Sequence, residues 1–167
     1  MIKQCIALTS AAGLALLSNW AFAARETLEF YVSVDIPTLD FYVIPSESDW
    51  IHREQILHWD VSTDRLGGLR RNFDVRHDSG AVEARLESYP YLTNGRDSRE
   101  NINLRVLFNG KELSHNPQPV QVVTAEEARV GVRVPLEIEP REQVGGYKPG
   151  DYYGSVSIIF NAAAPGG

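Results

Sequence analysis

The sequence predicts an all-β protein, an immunoglobulin-like β-sandwich, on three observations. Apolar residues recur at every second position through successive short segments, and Gly, Pro, Asn and Asp clusters separate those segments. The stretch with helical character, "TAEEA" at 124–128, is too short to form a layer of its own.

The first residues are read apart from the fold. Lys3 supplies a positive start, residues 6–17 form an uncharged apolar run, and Ala21-Phe22-Ala23 fits a small-x-small cleavage site, so residues 1–23 are expected to be a secretory signal peptide cut before Ala24. The run is too short to anchor in a membrane. Removing 23 residues from 167 leaves 144, one domain's worth. Cys5 leaves with the signal, so the mature chain has no disulfide and must be held by burial and backbone pairing. Lys3 leaves too, so 16 basic residues become 15 against 22 acidic ones, and a net charge of −7 argues against nucleic-acid binding.

The mature chain opens on "TLEFYVSVDI", 27–36, in which Leu28, Phe30, Val32, Val34 and Ile36 share one face and Thr27, Glu29, Tyr31, Ser33 and Asp35 the other. Leu39, Phe41 and Val43 continue the alternation to Pro45, and "SESDWIHRE" is a polar connection. Leu57, Trp59 and Val61 alternate next, followed by Leu69, Phe73 and Val75, and by Val82, Ala84 and Leu86. Asp64 with Gly67-Gly68, Asp78-Ser79-Gly80, and Pro90 before Asn94-Gly95 supply the turns. In "NINLRVLFNGKELS", Ile102, Leu104, Val106 and Phe108 share a face, and Asn109-Gly110 is the pair that accepts positive φ at both centres of a type I′ hairpin. Val130, Val132, Val134, Leu136 and Ile138 form another apolar face, in which Pro135 implies an edge strand or a bulge. The last strand is "YYGSVSIIF", with Tyr152, Val156, Ile158 and Phe160 in phase and Gly154 leaving a gap on their face.

No chemistry of catalysis emerges. The sequence has no G-x-S-x-G, P-loop or H-E-x-x-H, and the mature chain has no thiol. His52, His58, His77 and His115 are scattered and read as surface or turn hydrogen-bonding groups, with no metal site and no cofactor implied. Glu126-Glu127, "REQ" at 141–143 and "NGRDSREN" at 94–101 read as solvated loops. Trp50 and Trp59 are the residues a sugar-stacking platform would use, but alternation assigns Trp59 to the core.

The order of several pieces resembles the major pilin subunits of CS1-type fimbriae, made by the alternate (alpha) chaperone–usher route. The pieces are an alternating N-terminal strand ending in Ser33-Val34-Asp35 near a proline, "YLTN" at 91–94, the "LRVLFNGKELS" hairpin, an "AEEA" segment and a terminal "PGDYYGSVSIIF". Ile36 intervenes before Pro37, where the family usually runs from Asp directly into Pro. The resemblance implies a non-enzymatic shaft subunit whose immunoglobulin-like fold lacks its final strand. On this reading residues 24–37 are a donor-strand extension and 38–167 the incomplete pilin domain. Leu28, Phe30, Val32 and Val34 are the donor residues; Tyr152, Gly154, Val156, Ile158 and Phe160 line the acceptor groove, with Phe30 or Val32 packing over Gly154. The residues themselves fit this expectation, since "NAAAPGG" after Phe160 offers no strand to cover the edge of "YYGSVSIIF". The implied partners are identical subunits head to tail, a periplasmic chaperone, an outer-membrane usher, a tip adhesin and a host-surface receptor. The implied location is a fimbria on the bacterial surface, reached through the periplasm. From a different class, the alternative is a secreted carbohydrate-binding adhesin module using Trp50 or residues 94–101.

Overall fold

The computed structural model describes residues 40–163, so the segment 27–36 with Leu28, Phe30, Val32 and Val34, and the expected divisions at 23 and 37, lie outside the described residues. Those described form an all-β sandwich. One sheet contains, in spatial order, β1 (Phe41–Pro45), β4 (Leu69–His77), β10 (Val132–Pro140), β7 (Ile102–Phe108) and β6 (Tyr91–Leu92), with β8 (Lys111–Glu112) paired to β7. A second sheet has the order β11 (Ile158–Ala162), β5 (Val82–Leu86), β9 (Val120–Val123). The named pairings are all antiparallel.

The alternation read from the sequence sets the inner faces. Ile102, Leu104, Val106 and Phe108 of β7 are buried, as are Val82, Ala84 and Leu86 of β5, and they meet Phe73 and Val75 of β4 and Val134 and Leu136 of β10 in one core. Each large side chain so buried contributes about 1.5–3 kcal/mol, which is what a chain without disulfides must rely on. The hairpin from β7 to β8 turns at Asn109 (φ 50°) and Gly110 (φ 71°), the expected I′ geometry. The helical stretch is a single short helix, α1 (Ala125–Val130). Thr124 caps it: its hydroxyl accepts from the Glu127 N–H at 3.3 Å, and the Glu127 carboxylate accepts from the Thr124 N–H at 3.0 Å.

Four expectations require correction. Pro135 is neither at an edge nor in a bulge; it sits in β10, between β4 and β7. Its carbonyl accepts from the Asn109 N–H at 2.8 Å, so its nitrogen also faces the β7 side, beyond Phe108, where the hairpin turn begins. The hydrogen bond it cannot donate is the closing rung of that ladder, and the rest of the strand pairs normally. Val130 ends α1 at 80% exposure and does not join the face of Val132 and Val134. Trp59 is not core. It belongs to β2 (Trp59–Asp60), which pairs with β3 (Arg65–Leu66) in a small separate ribbon, and it is 43% exposed. The terminal strand forms a ladder over Ile158–Ala162 rather than along all of "YYGSVSIIF"; before it the chain is extended and makes one bridge, Tyr153 to Thr93.

The outer face of the larger sheet carries cross-strand ion pairs. Arg133 pairs with Asp74 directly opposite at 2.7 Å, Arg70 with Glu137 at 2.6 Å, and Arg105 with both Glu112 and Glu139 at 3.0 and 3.6 Å. The Arg133 hydrogen bond holds the Asp74 carboxyl below its usual range, and hydrogen bonds from Arg105 and Arg141 do the same for Glu112. A depressed carboxylate adds stability above its unfolded pKa and loses it as pH falls through the folded one. Asp74→Asn is therefore expected to lower the melting temperature by at most a few degrees at neutral pH, the pair being exposed. The gap to wild type should close as pH falls below about 4, which a melting series from pH 7 to 2 measures.

Candidate functional site: a groove beside the open strand edge

The strand β11 has β5 on one side and, among the described residues, no strand on the other. Its pairing parity decides which groups are left over. Ser157 accepts from the Glu87 N–H at 3.0 Å and Ala163 donates to the Ala81 carbonyl at 2.9 Å, so the odd-numbered residues of β11 face β5. The N–H and C=O groups of Ile158, Phe160 and Ala162 consequently point to the open edge, as an unfinished ladder does.

Beside this edge lies a groove of about 1260 Å³. Tyr152, Gly154, Val156, Ile158 and Phe160 all line it, so the structure brings the five residues together along one wall. The opposite lip is the stretch from Trp50 to Leu57, which follows β1 and has no regular secondary structure over its second half. The floor is apolar: Phe73 of β4, Leu104 of β7, and Leu136 and Ile138 of β10. Under the groove runs a row of edge-to-face aromatic contacts, from Phe160 to Phe108 at 4.9 Å, Phe108 to Phe73 at 5.7 Å, and Phe73 to Trp50 at 5.7 Å. The row joins the β11 wall to the lip. Trp59 and Tyr147, in edge contact at 5.8 Å, stand at one end of the groove. Burial raises the Tyr147 hydroxyl pKa, and that hydroxyl donates to the Arg141 carbonyl at 3.1 Å.

Sequence periodicity placed Phe73, Leu104, Leu136 and Ile138 on apolar faces but had no means of grouping them into a floor or finding the lip, because these come together from β4, β7, β10 and a loop. Trp50 was a visible candidate, but as a sugar platform. Its ring is instead engaged by Phe73 and by the Arg71 guanidinium, 5.5 Å from the ring centroid. Gly154 also differs from expectation. The direction its side chain would take is filled by this chain's own β6: a Cβ there would run into the Tyr91 carbonyl and lie 3.1 Å from Leu92 Cδ2. The space is one of close backbone approach within the subunit, not a gap open to another copy's Phe30 or Val32.

The described residues contain no group of three or more His, Cys, Asp or Glu side chains placed to hold a metal. Nor do they include a helix long and apolar enough to cross a membrane. His77 is buried and hydrogen-bonded in its turn, its ring nitrogens 3.2 Å from the Ala81 carbonyl and from the Ser79 hydroxyl.

The sandwich, with the β11 edge left unpaired among the described residues, has the fold of a pilin. Among solved structures it is similar to the CooA pilin subunit from enterotoxigenic Escherichia coli, with a TM-score of 0.61 and 19% identity, covering 77% of this chain and 90% of that one. Residues 27–161 match the family of CS1 type fimbrial major subunits, and the chain belongs to that family. Curated protein sequences yield no match. Membership makes the chain a fimbrial pilin subunit, a structural protein that polymerises with other subunits into a surface fimbria.

Proposed function

We propose that this subunit polymerises by donor-strand exchange: the segment 27–36 of one copy enters the groove of the next and completes the smaller sheet beside β11. The observation that carries the reading is the coincidence of an edge at Ile158, Phe160 and Ala162, unpaired among the described residues, with an apolar groove along it. A strand laid there would take up the unpaired backbone groups and cover the apolar floor together. The alternating face of Leu28, Phe30, Val32 and Val34 has the character such a floor requires, and ten extended residues reach about 33 Å. A head-to-tail contact of this kind does not close, so it propagates as a filament.

Before joining, the edge needs cover. A periplasmic chaperone strand would hold the subunit, an outer-membrane usher would catalyse the exchange, and a tip adhesin would stand at the filament's distal end, where any host-surface receptor would be met. The family membership supports this machinery.

The test is a fusion. A second copy of "TLEFYVSVDI", joined after Gly167 through a flexible linker, is expected to give a monomer that melts well above the unfused protein. Equal melting temperatures for the two would mean that the fold is complete without an added strand, and would favour the carbohydrate-binding alternative.

A further inference from the structure

Arg71 stands where the alternation of β4 calls for an apolar residue: Leu69, Phe73 and Val75 are its neighbours on the inner face, and it is half-buried among them. Among the described residues no carboxylate lies within ion-pairing distance of it. Its guanidinium donates instead to the Gln55 amide oxygen, at 2.8 Å from Nη2 and 3.3 Å from Nε, and lies over the Trp50 ring. The Gln55 amide nitrogen in turn donates to the carbonyls of Trp50 at 3.0 Å and Arg53 at 3.1 Å. Side chains alone thus fasten the lip to the sheet. The backbone groups of Gln55, Ile56 and Leu57 make no backbone hydrogen bond among the described residues, yet the same three residues line the groove opposite β11. A lip and a strand edge that are both unpaired among the described residues make a seat for two ladders.

We propose that Arg71 is a positioning residue for subunit joining: through Gln55 and Trp50 it holds the lip where an inserted strand pairs with residues 55–57 on one edge while pairing with β11 on the other. This rests on the strand-exchange reading above. A cation serves better here than an apolar side chain because its planar fork grips one amide oxygen with two donors and leaves a ring face covered, fixing the angle of the lip as well as its distance.

The experiment uses polymers of the full chain, followed by amide hydrogen exchange and by the rate of subunit release on heating. In wild-type polymers the alternate amides within residues 55–57 that face the inserted strand, and those of Ile158 and Phe160, are expected to be protected. In Arg71→Leu and Gln55→Ala polymers, residues 55–57 should lose protection and subunits should leave roughly ten- to a hundredfold faster, the scale of one charge-assisted hydrogen-bonded contact. Protection of β5 and β10 should be unchanged, which separates a displaced lip from a damaged sandwich; if Arg71→Leu does not fold, Gln55→Ala decides. Wild-type polymers in which none of the 55–57 amides is protected, or variant polymers matching wild type in both measurements, overturn the proposal. Wild-type polymers in which Ile158 and Phe160 exchange freely would instead overturn the strand-exchange reading itself.

Discussion

Phe30→Asp or Val32→Asp is expected to abolish polymer, while Glu29→Gln polymerises as wild type does. Phe30 and Val32 are central on the apolar face of the segment 27–36, and the groove proposed to receive that face has a floor of Phe73, Leu104, Leu136 and Ile138. A carboxylate placed against those apolar side chains would lose its hydration, a loss of several kcal/mol or a forced protonation. That is comparable to the whole contribution of two apolar side chains, each about 1.5–3 kcal/mol, so joining fails rather than weakens. Glu29 alternates to the other face and its charge is not needed. Heat-labile ladders on a gel give the readout. Similar ladders from all three variants would remove this segment as the donor.

Gly154→Val is expected to damage the subunit itself. The added Cβ would collide with the Tyr91 carbonyl and crowd Leu92 Cα at 3.3 Å, and the obstacles are backbone, which cannot rotate away. The adjacent bridge, in which Thr93 and Tyr153 exchange hydrogen bonds of 2.9 and 3.0 Å, would be pushed apart. Overpacking of this kind costs about 1–3 kcal/mol, and the lost bridge adds to it, in a fold whose edge is already open. The expected result is a low yield of protease-resistant subunit and a lower melting temperature even when the donor strand is fused on. Phe30→Ala should not restore it, because the obstruction lies within one chain. Normal folding with defective joining, rescued by Phe30→Ala, would put the gap back in the groove.

The parts of this fold that were legible in the sequence are those where one strand reports on its own surroundings. Ile102 to Phe108 alternates and is buried at every second residue; Asn109-Gly110 specifies a turn by its own dihedral preferences; Thr124 and Glu127 cap a helix by reaching each other. What was not legible depends on partners distant in the chain. Whether Pro135 is tolerated in a central strand depends on where β7 happens to end. Whether Trp50 or Trp59 is packed depends on which stretch folds over Phe73, and a two-residue ribbon takes Trp59 away from the sandwich. The groove wall was readable as a run of in-phase residues from Tyr152 to Phe160, but the lip and its hold on Arg71 were not, since Trp50 and Gln55 reach Arg71 from a loop that carries no alternation.

The edge of β11 that no described strand pairs has a further consequence if copies join through it. In a linear head-to-tail filament every join fills one vacancy, so a filament of any length leaves a single β11 edge unfilled, whereas the same copies kept apart would leave one each. The hazard per unit mass falls as the filament grows. Elongation is then its own protection against misassociation, and the shortest oligomers are the species most in need of an escort.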